Sequence, residues 1–145
     1  MSFTPIKSNS IDKHPLDRSE VRKLTLDNGV RVYLLSDPNF NVSAASMVVE
    51  TGSLENPNDR EGLAHFLEHM LFLGTEKYPD VDEYSTYLRT FGGYSNAYTA
   101  SDHTNYQLQV LPDGFEGALD RFAQFFISPL FTEEYTAREV NAVNS

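Results

Sequence analysis

The sequence predicts an α+β fold in which a mixed, largely antiparallel sheet carries helices packed on one face. Three observations predict it. Runs of alternating apolar and polar residues come in neighbouring pairs joined by short turn signals, as antiparallel ladders require. Helical stretches with their own stop residues separate those pairs. The links are too short for the crossovers that an all-parallel sheet needs. The chain has 145 residues, 40% of them hydrophobic and 12% aromatic, which suits one domain of ordinary size with a real core and is too apolar for disorder.

Residues 1–18 carry Ser, Asn, Asp and Pro without periodicity and read as an extended N-terminal arm. Strands follow over 21–26 and 30–35, joined by the tight-turn signal Asp27-Asn28-Gly29 and closed by Asp37-Pro38-Asn39. Residues 42–50 are small and apolar, so this third strand is expected to be covered on both faces. A polar loop over 51–60 leads to an apolar helix over 62–73, stopped by Gly74. Asp80-x-x-Glu83 resembles a capping box and opens a helix to Thr90 that ends at Gly92-Gly93. Strands over 94–100 and 104–110 flank a Ser101-Asp102 turn. Asp113-x-x-Glu116 opens a helix whose Phe115, Ala118, Leu119, Phe122 and Phe126 share one face, with Pro129 as its stop. Thr132, Glu133 and Glu134 start a last helix that is still running at Ser145, so the chain is expected to be cut within it.

Charge and composition exclude several function classes. With 11 basic against 21 acidic residues the net charge is −10, and no Lys/Arg run interrupts it. Such a surface repels phosphate backbones and anionic lipid, so neither nucleic acid nor a membrane is an expected partner. There is no cysteine, which removes disulfides, thiolate nucleophiles and sulfur-ligated zinc. No secretory signal is visible, and no apolar run approaches the roughly 20 residues of a membrane helix. A cytoplasmic location is the expectation.

One segment carries chemistry: Gly62-Leu63-Ala64-His65-Phe66-Leu67-Glu68-His69-Met70-Leu71-Phe72-Leu73. On a helix His65 and His69 stack one turn apart on the same face, and Glu68 flanks them. A histidine pair at this spacing also suits two core histidines bonded to carbonyls, with Glu68 bridged to a lysine. The glutamate in an otherwise greasy, apparently all-round buried helix favours the other reading. Burying a lone carboxylate costs several kcal/mol unless something compensates, and a divalent cation does so. Two imidazoles are suitable zinc ligands, and the carboxylate beside them is placed to move a proton from water. The H-x-x-E-H order is the inverzincin signature.

From Gly62 to Pro79 the sequence resembles the active-site helix of the insulinase/pitrilysin family of zinc metallopeptidases, on the side of its insulin-degrading branch. The likeness continues through Gly92-Gly93-Tyr94-Ser95-Asn96-Ala97-Tyr98-Thr99, Gly117-Ala118-Leu119-Asp120-Arg121-Phe122 and Arg138-Glu139-Val140-Asn141-Ala142-Val143. It implies a zinc-dependent endopeptidase, with 19–145 the N-terminal part of its catalytic domain. It further implies His65 and His69 as zinc ligands, Glu68 as general base, and Glu139 supporting the site from behind the ligands. Phe72 would line the pocket beside the scissile bond, and Asn96 and Ala97 would lie in the strand whose edge pairs with an extended peptide or small protein.

The resemblance also implies a third ligand, a glutamate seven residues beyond Glu139, at the position immediately after Ser145. Glu139 lies about 10.5 Å short of it along a helix axis and does not replace it. Weak or partial zinc occupancy and little or no activity are therefore expected of this chain alone. The missing half of such an enzyme, or self-association through exposed core, is the expected protein partner. His103, at a Ser-Asp-His-Thr turn, and His14, in the arm, are weaker ligand candidates. A lyase with the same H-x-x-E-H helix is disfavoured because its third ligand is a cysteine. The remaining alternative is a non-catalytic peptide-binding or structural subunit of the same fold.

Overall fold

The structure, a computed structural model, describes residues 3–6 and 13–143. The chain divides into two compact units, Met1–Asn41 and Val42–Ser145.

The first unit is a three-stranded antiparallel sheet in the order β1-β2-β3, with β1 Phe3–Ile6, β2 Glu20–Leu26 and β3 Arg31–Ser36. The β2–β3 register pairs Lys23 with Tyr33 and Leu24 with Val32. Gly29, at φ +88°, makes the turn possible, and Leu26 and Val30 close it with a 2.9 Å backbone bond. The stretch expected to be only an extended arm contains β1, which pairs with β2 from Phe3↔Leu26 to Ile6↔Lys23. Residues 1–2 and 7–12 of that expectation lie outside the described residues.

The second unit holds a separate three-stranded sheet, order β4-β6-β5, formed by β4 Ser43–Val49, β5 Tyr94–Thr99 and β6 Thr104–Val110. All ladders among the described residues are antiparallel. The helices are α1 Leu63–Met70, α2 Glu83–Thr90, α3 Phe115–Gln124 and α4 Glu133–Val143. The α+β class of the sequence reading holds, with two small sheets in place of one larger one.

β6 is the central strand and carries the core residues Tyr106, Leu108 and Val110, which pack with Leu71, Tyr84, Leu88, Ala118, Phe122 and Phe125. Ala45, Met47 and Ala97 add to that face from the flanking strands, while Ala44, Ser46, Val48, Tyr94, Asn96 and Tyr98 lie exposed on the other. The expectation that β4 is covered on both faces is therefore corrected. It is an edge strand with alternating burial, and Val48 remains 55% exposed.

The helix ends also needed tertiary information. α2 stops in a Schellman arrangement, with Gly93 N–H on the Leu88 carbonyl, Gly92 N–H on the Arg89 carbonyl, and Gly92 at φ +63°. A Cβ on Gly93 would meet the Gln109 carbonyl oxygen at 2.2 Å, so the second glycine lets β5 start against β6. The capping box expected at Asp80-x-x-Glu83 does not form, and the Asp113 side chain does not cap α3. Asp80 instead accepts the Asp82 N–H at 2.9 Å in a turn before α2, and a 3-10 turn, Pro112–Gly114, precedes α3. Leu119, placed by periodicity on the core face of α3, is 41% exposed, while Phe125, just beyond the helix end, is buried in the core with Phe122. Among the described residues no helix is long and apolar enough to cross a membrane.

Candidate active site

α1 is shorter and less enclosed than its composition suggests. It ends at Met70, and the chain then turns through 71–73 to Gly74. Glu68 and Met70 are its buried residues, whereas Leu63 and Leu67 are 45% and 44% exposed. The expectation of burial all round is corrected: one side packs against β5, β6 and α4, and the other faces outward. Gly62 enters the helix at φ +84°, and Asn56, six residues earlier in the loop, accepts the Ala64 N–H on its side-chain oxygen at 2.9 Å. That remote cap satisfies one of the helix's unpaired amides and fixes where α1 begins.

Within this frame the two histidines converge. Their Nε2 atoms are 3.0 Å apart and their rings meet edge to face at 4.6 Å. Glu139, on α4, reaches His69 Nδ1 with Oε1 at 2.6 Å. A carboxylate only accepts, so His69 carries its proton on Nδ1 and presents a lone pair at Nε2. One of the two Nε2 atoms carries the proton of their contact, in the direction the tautomers set. With the His65 proton on its exposed Nδ1 instead, two nitrogen lone pairs stand side by side.

This donor set fits a zinc ion. Two nitrogens at ligand distances of about 2.0–2.1 Å around a tetrahedral ion stand about 3.3 Å apart, close to the separation seen here. A carboxylate on the far nitrogen of a ligating imidazole is the usual support behind such a ligand. Among the described residues there is no group of three or more His, Cys, Asp or Glu side chains arranged to hold a metal, so the two histidines stand without a third protein ligand.

Glu68 is buried, at 7% exposed. Thr99 Oγ1, at the end of β5, donates to its Oε2 at 2.5 Å. On β6, the Tyr106 phenol is pushed up to about 12 by burial and, secondarily, by the negative charge of Glu68. No lysine bridges Glu68 among the described ion pairs, and its bonding partner is a neutral hydroxyl. Thr99 and Asn56 escaped the sequence reading. Thr99 shares the inward parity of Ser95 and Ala97 along β5, but nothing local says which helix lies over that face.

The other expected residues are dispersed. Phe72, within the helix expected over 62–73, lies past the end of α1, which stops at Met70. Its ring packs edge-on against Phe125 at 5.1 Å and beside Tyr84 and Tyr106 at 6.3 Å. Asn96 and Ala97 are on β5, which is an edge of its sheet and neighbours α1. Asn96 points outward, and Ala97 packs on the core. His103 is engaged elsewhere, with Nδ1 on Asp102 at 2.7 Å and Nε2 3.4 Å from the Tyr98 hydroxyl. His14 accepts the Leu16 N–H on Nδ1 at 3.2 Å.

Comparison with known proteins supplies the family. The profile described as Insulinase (Peptidase family M16) matches residues 31–145. The chain is similar to the insulin-degrading enzyme of Drosophila melanogaster, 55% identical over 145 residues, covering 99% of this chain and 15% of that protein. It is 54% identical over 137 residues to the human insulin-degrading enzyme, covering 94% of this chain and 13% of the relative. A Schizosaccharomyces pombe protein provisionally named zinc protease mug138 is 53% identical over 130 residues, 90% of this chain and 13% of its own length. Among solved structures, the crystal structure of pitrilysin superposes with a TM-score of 0.91 at 43% identity, covering 98% of this chain and 15% of that one. The chain thus spans only 13–15% of the length of these relatives. By its sequence match and by its fold, this chain belongs to the insulinase family of peptidases, family M16.

Proposed function

We propose that this chain is part of a zinc-dependent endopeptidase, in which His65 and His69 hold the metal through Nε2 and Glu68 is the general base. The observation that carries the reading is the meeting of two imidazole nitrogens at 3.0 Å beside a buried carboxylate, with His69 backed by Glu139. A zinc ion bound there supplies Lewis acidity, bringing the pKa of an attached water toward ~7. Glu139 keeps the His69 proton on Nδ1 and so keeps Nε2 available. Glu68 takes a proton from water on a carboxylate oxygen and returns it to the leaving amine nitrogen, a round trip that leaves it ionised.

Substrate binding is assigned to the exposed edge of β5. An extended peptide added to that edge is held mainly by backbone hydrogen bonds from the Asn96–Ala97 stretch, which makes little demand on its sequence. Phe72, half-buried beyond α1 among Phe125, Tyr84 and Tyr106, is assigned apolar lining of the pocket. The expected partner is therefore a peptide or small protein, not nucleic acid or membrane. Leu63 and Leu67, half exposed on α1, would be covered by a further part of the enzyme or by a second copy. A cytoplasmic site of action belongs to the same proposal. It stands beside an Arabidopsis thaliana relative, 51% identical, whose name places it in peroxisomes.

With two histidine ligands among the described residues, zinc binding is expected to be weak and turnover slight or nil. The lack of a third ligand among those residues favours a second reading, a peptide-binding subunit without chemistry. Titration calorimetry with zinc and cleavage of a quenched peptide, with protein in excess at saturating zinc, separate the two. The peptidase reading expects cleavage that Glu68→Gln abolishes while peptide binding survives. Cleavage indifferent to Glu68→Gln overturns it.

A further inference from the structure

We propose that Thr99 is a positioning residue for Glu68, its hydroxyl holding one carboxylate oxygen so that the other is left, in a fixed orientation, to take the proton. The inference rests on the peptidase reading above for its consequence but on geometry for its existence. Among the described residues, Thr99 is the hydrogen-bond donor to Glu68, and the contact spans 2.5 Å between residues 31 apart in sequence.

The holder is itself firmly held. Thr99 pairs with Thr104 across the β5–β6 ladder, and Thr104 donates its own hydroxyl to the Thr51 carbonyl at 2.9 Å. The Ala100 N–H bonds to the His103 carbonyl at 2.8 Å, closing the hairpin directly after Thr99. From outside the hairpin, Ser53 N–H bonds the Ala100 carbonyl and Leu54 N–H the Ser101 carbonyl, both at 2.9 Å. That approach needs Gly52, where a Cβ would stand 2.4 Å from the Ala100 oxygen. Threonine is branched at Cβ and stiff about χ1, so a rigid backbone here means a rigid hydroxyl. Glutamate has three rotatable bonds and no such stiffness. The bond therefore transfers the hairpin's order to the side chain that needs it, as a functional group supported by rigid elements requires. The Tyr106 phenol, raised mainly by burial, is raised further by the Glu68 charge, in keeping with a carboxylate turned toward the sheet.

Two variants test this. Thr99→Val keeps the branched shape and removes the hydroxyl, while Thr99→Ser keeps the hydroxyl. Proton NMR of the chain should show a slowly exchanging hydroxyl proton with a through-space contact to the Glu68 side chain in wild type and Thr99→Ser. In a crystal structure of Thr99→Val the Glu68 carboxylate should have turned away from β5. Zinc affinity by calorimetry should stay within about twofold in both variants, because neither histidine nor Glu139 is touched. At saturating zinc, Thr99→Val should lower kcat roughly ten- to a hundredfold with KM little changed, the scale of loss that follows a misplaced reacting group, and Thr99→Ser should restore it. Melting curves identify a variant that has merely lost its fold. Glu68 keeping its orientation in Thr99→Val, or a serine variant as impaired as the valine one, overturns the proposal. Failure of the peptidase reading looks different: cleavage ignores Glu68→Gln, while the hydroxyl proton and the Glu68 orientation still decide the role of Thr99.

Discussion

Two carboxylate–imidazole pairs occur among the described residues, and they are unlike in one respect that matters. On the β5–β6 turn, His103 is paired through Nδ1 with Asp102, its immediate neighbour in sequence, at 2.7 Å, and Asp102 is 78% exposed. On α1, His69 is paired through Nδ1 with Glu139 at 2.6 Å, from 70 residues away, and the Glu139 side chain is only 20% exposed. The free nitrogen of His103 faces a phenol at 3.4 Å, whereas that of His69 faces a second imidazole at 3.0 Å. Pairing a histidine with an acid is thus cheap and common. Aiming its second nitrogen at another ligand, with the acid screened from solvent, takes two helices and a sheet.

The contrast is broken most severely by deleting the rings themselves. His69→Ala should abolish zinc binding measured by calorimetry, and His103→Ala should leave it unchanged; equal losses would mean the metal reading has the wrong histidine. Removing the acids is the next step down. Glu139→Gln should weaken zinc affinity about ten- to a hundredfold, as loss of support behind a ligand does, while Asp102→Asn should not move it. Asn56→Ala is expected to cost about 1 kcal/mol of stability in chemical denaturation, the ordinary value of a lost helix cap, and to loosen α1 but not the turn.

The smallest effect is a pH dependence. The Asp102 carboxyl is held below its ordinary value of 3.8, chiefly by its hydrogen bond to His103. A depressed folded pKa means the contribution to stability is complete above the unfolded value and is lost as pH falls through the folded one. Asp102→Asn should therefore change melting temperature only slightly at neutral pH; the difference should persist down to about pH 4, the unfolded value, and vanish only as pH falls below the lowered folded one. Because this pair is solvent-screened, a large shift would show that the turn is more enclosed than its exposure indicates.

Much of the architecture was legible locally. Asp27-Asn28-Gly29 and Gly92-Gly93 act where they stand, the first as a hairpin turn and the second as a helix stop, because positive φ is a property of single residues. The His65, Glu68 and His69 constellation was equally legible, since helical spacing alone puts i and i+4 on one face. Reading failed where the answer depended on a distant neighbour. Composition made α1 look buried on all sides, but Leu63 and Leu67 are half exposed because packing partners approach from one side. β4 looked like an interior strand and is an edge, because strand order is not written in any one strand. The capping motifs at Asp80 and Asp113 competed with turns that serve the backbone equally well.

Turn positions, helix stops and the stacking of His65 over His69 needed nothing beyond the residues concerned, since each is settled by dihedral preferences and spacing within a few residues. Which oxygen of Glu68 is held, which nitrogen of His69 carries a proton and which strand edge lies beside them were decided by contacts across 31 and 70 residues. Those contacts exist only once β6 has drawn both layers onto one core. Hydrogen bonding requires atoms to meet within a few tenths of an ångström, and for groups so far apart along a flexible chain only the packed fold imposes that precision.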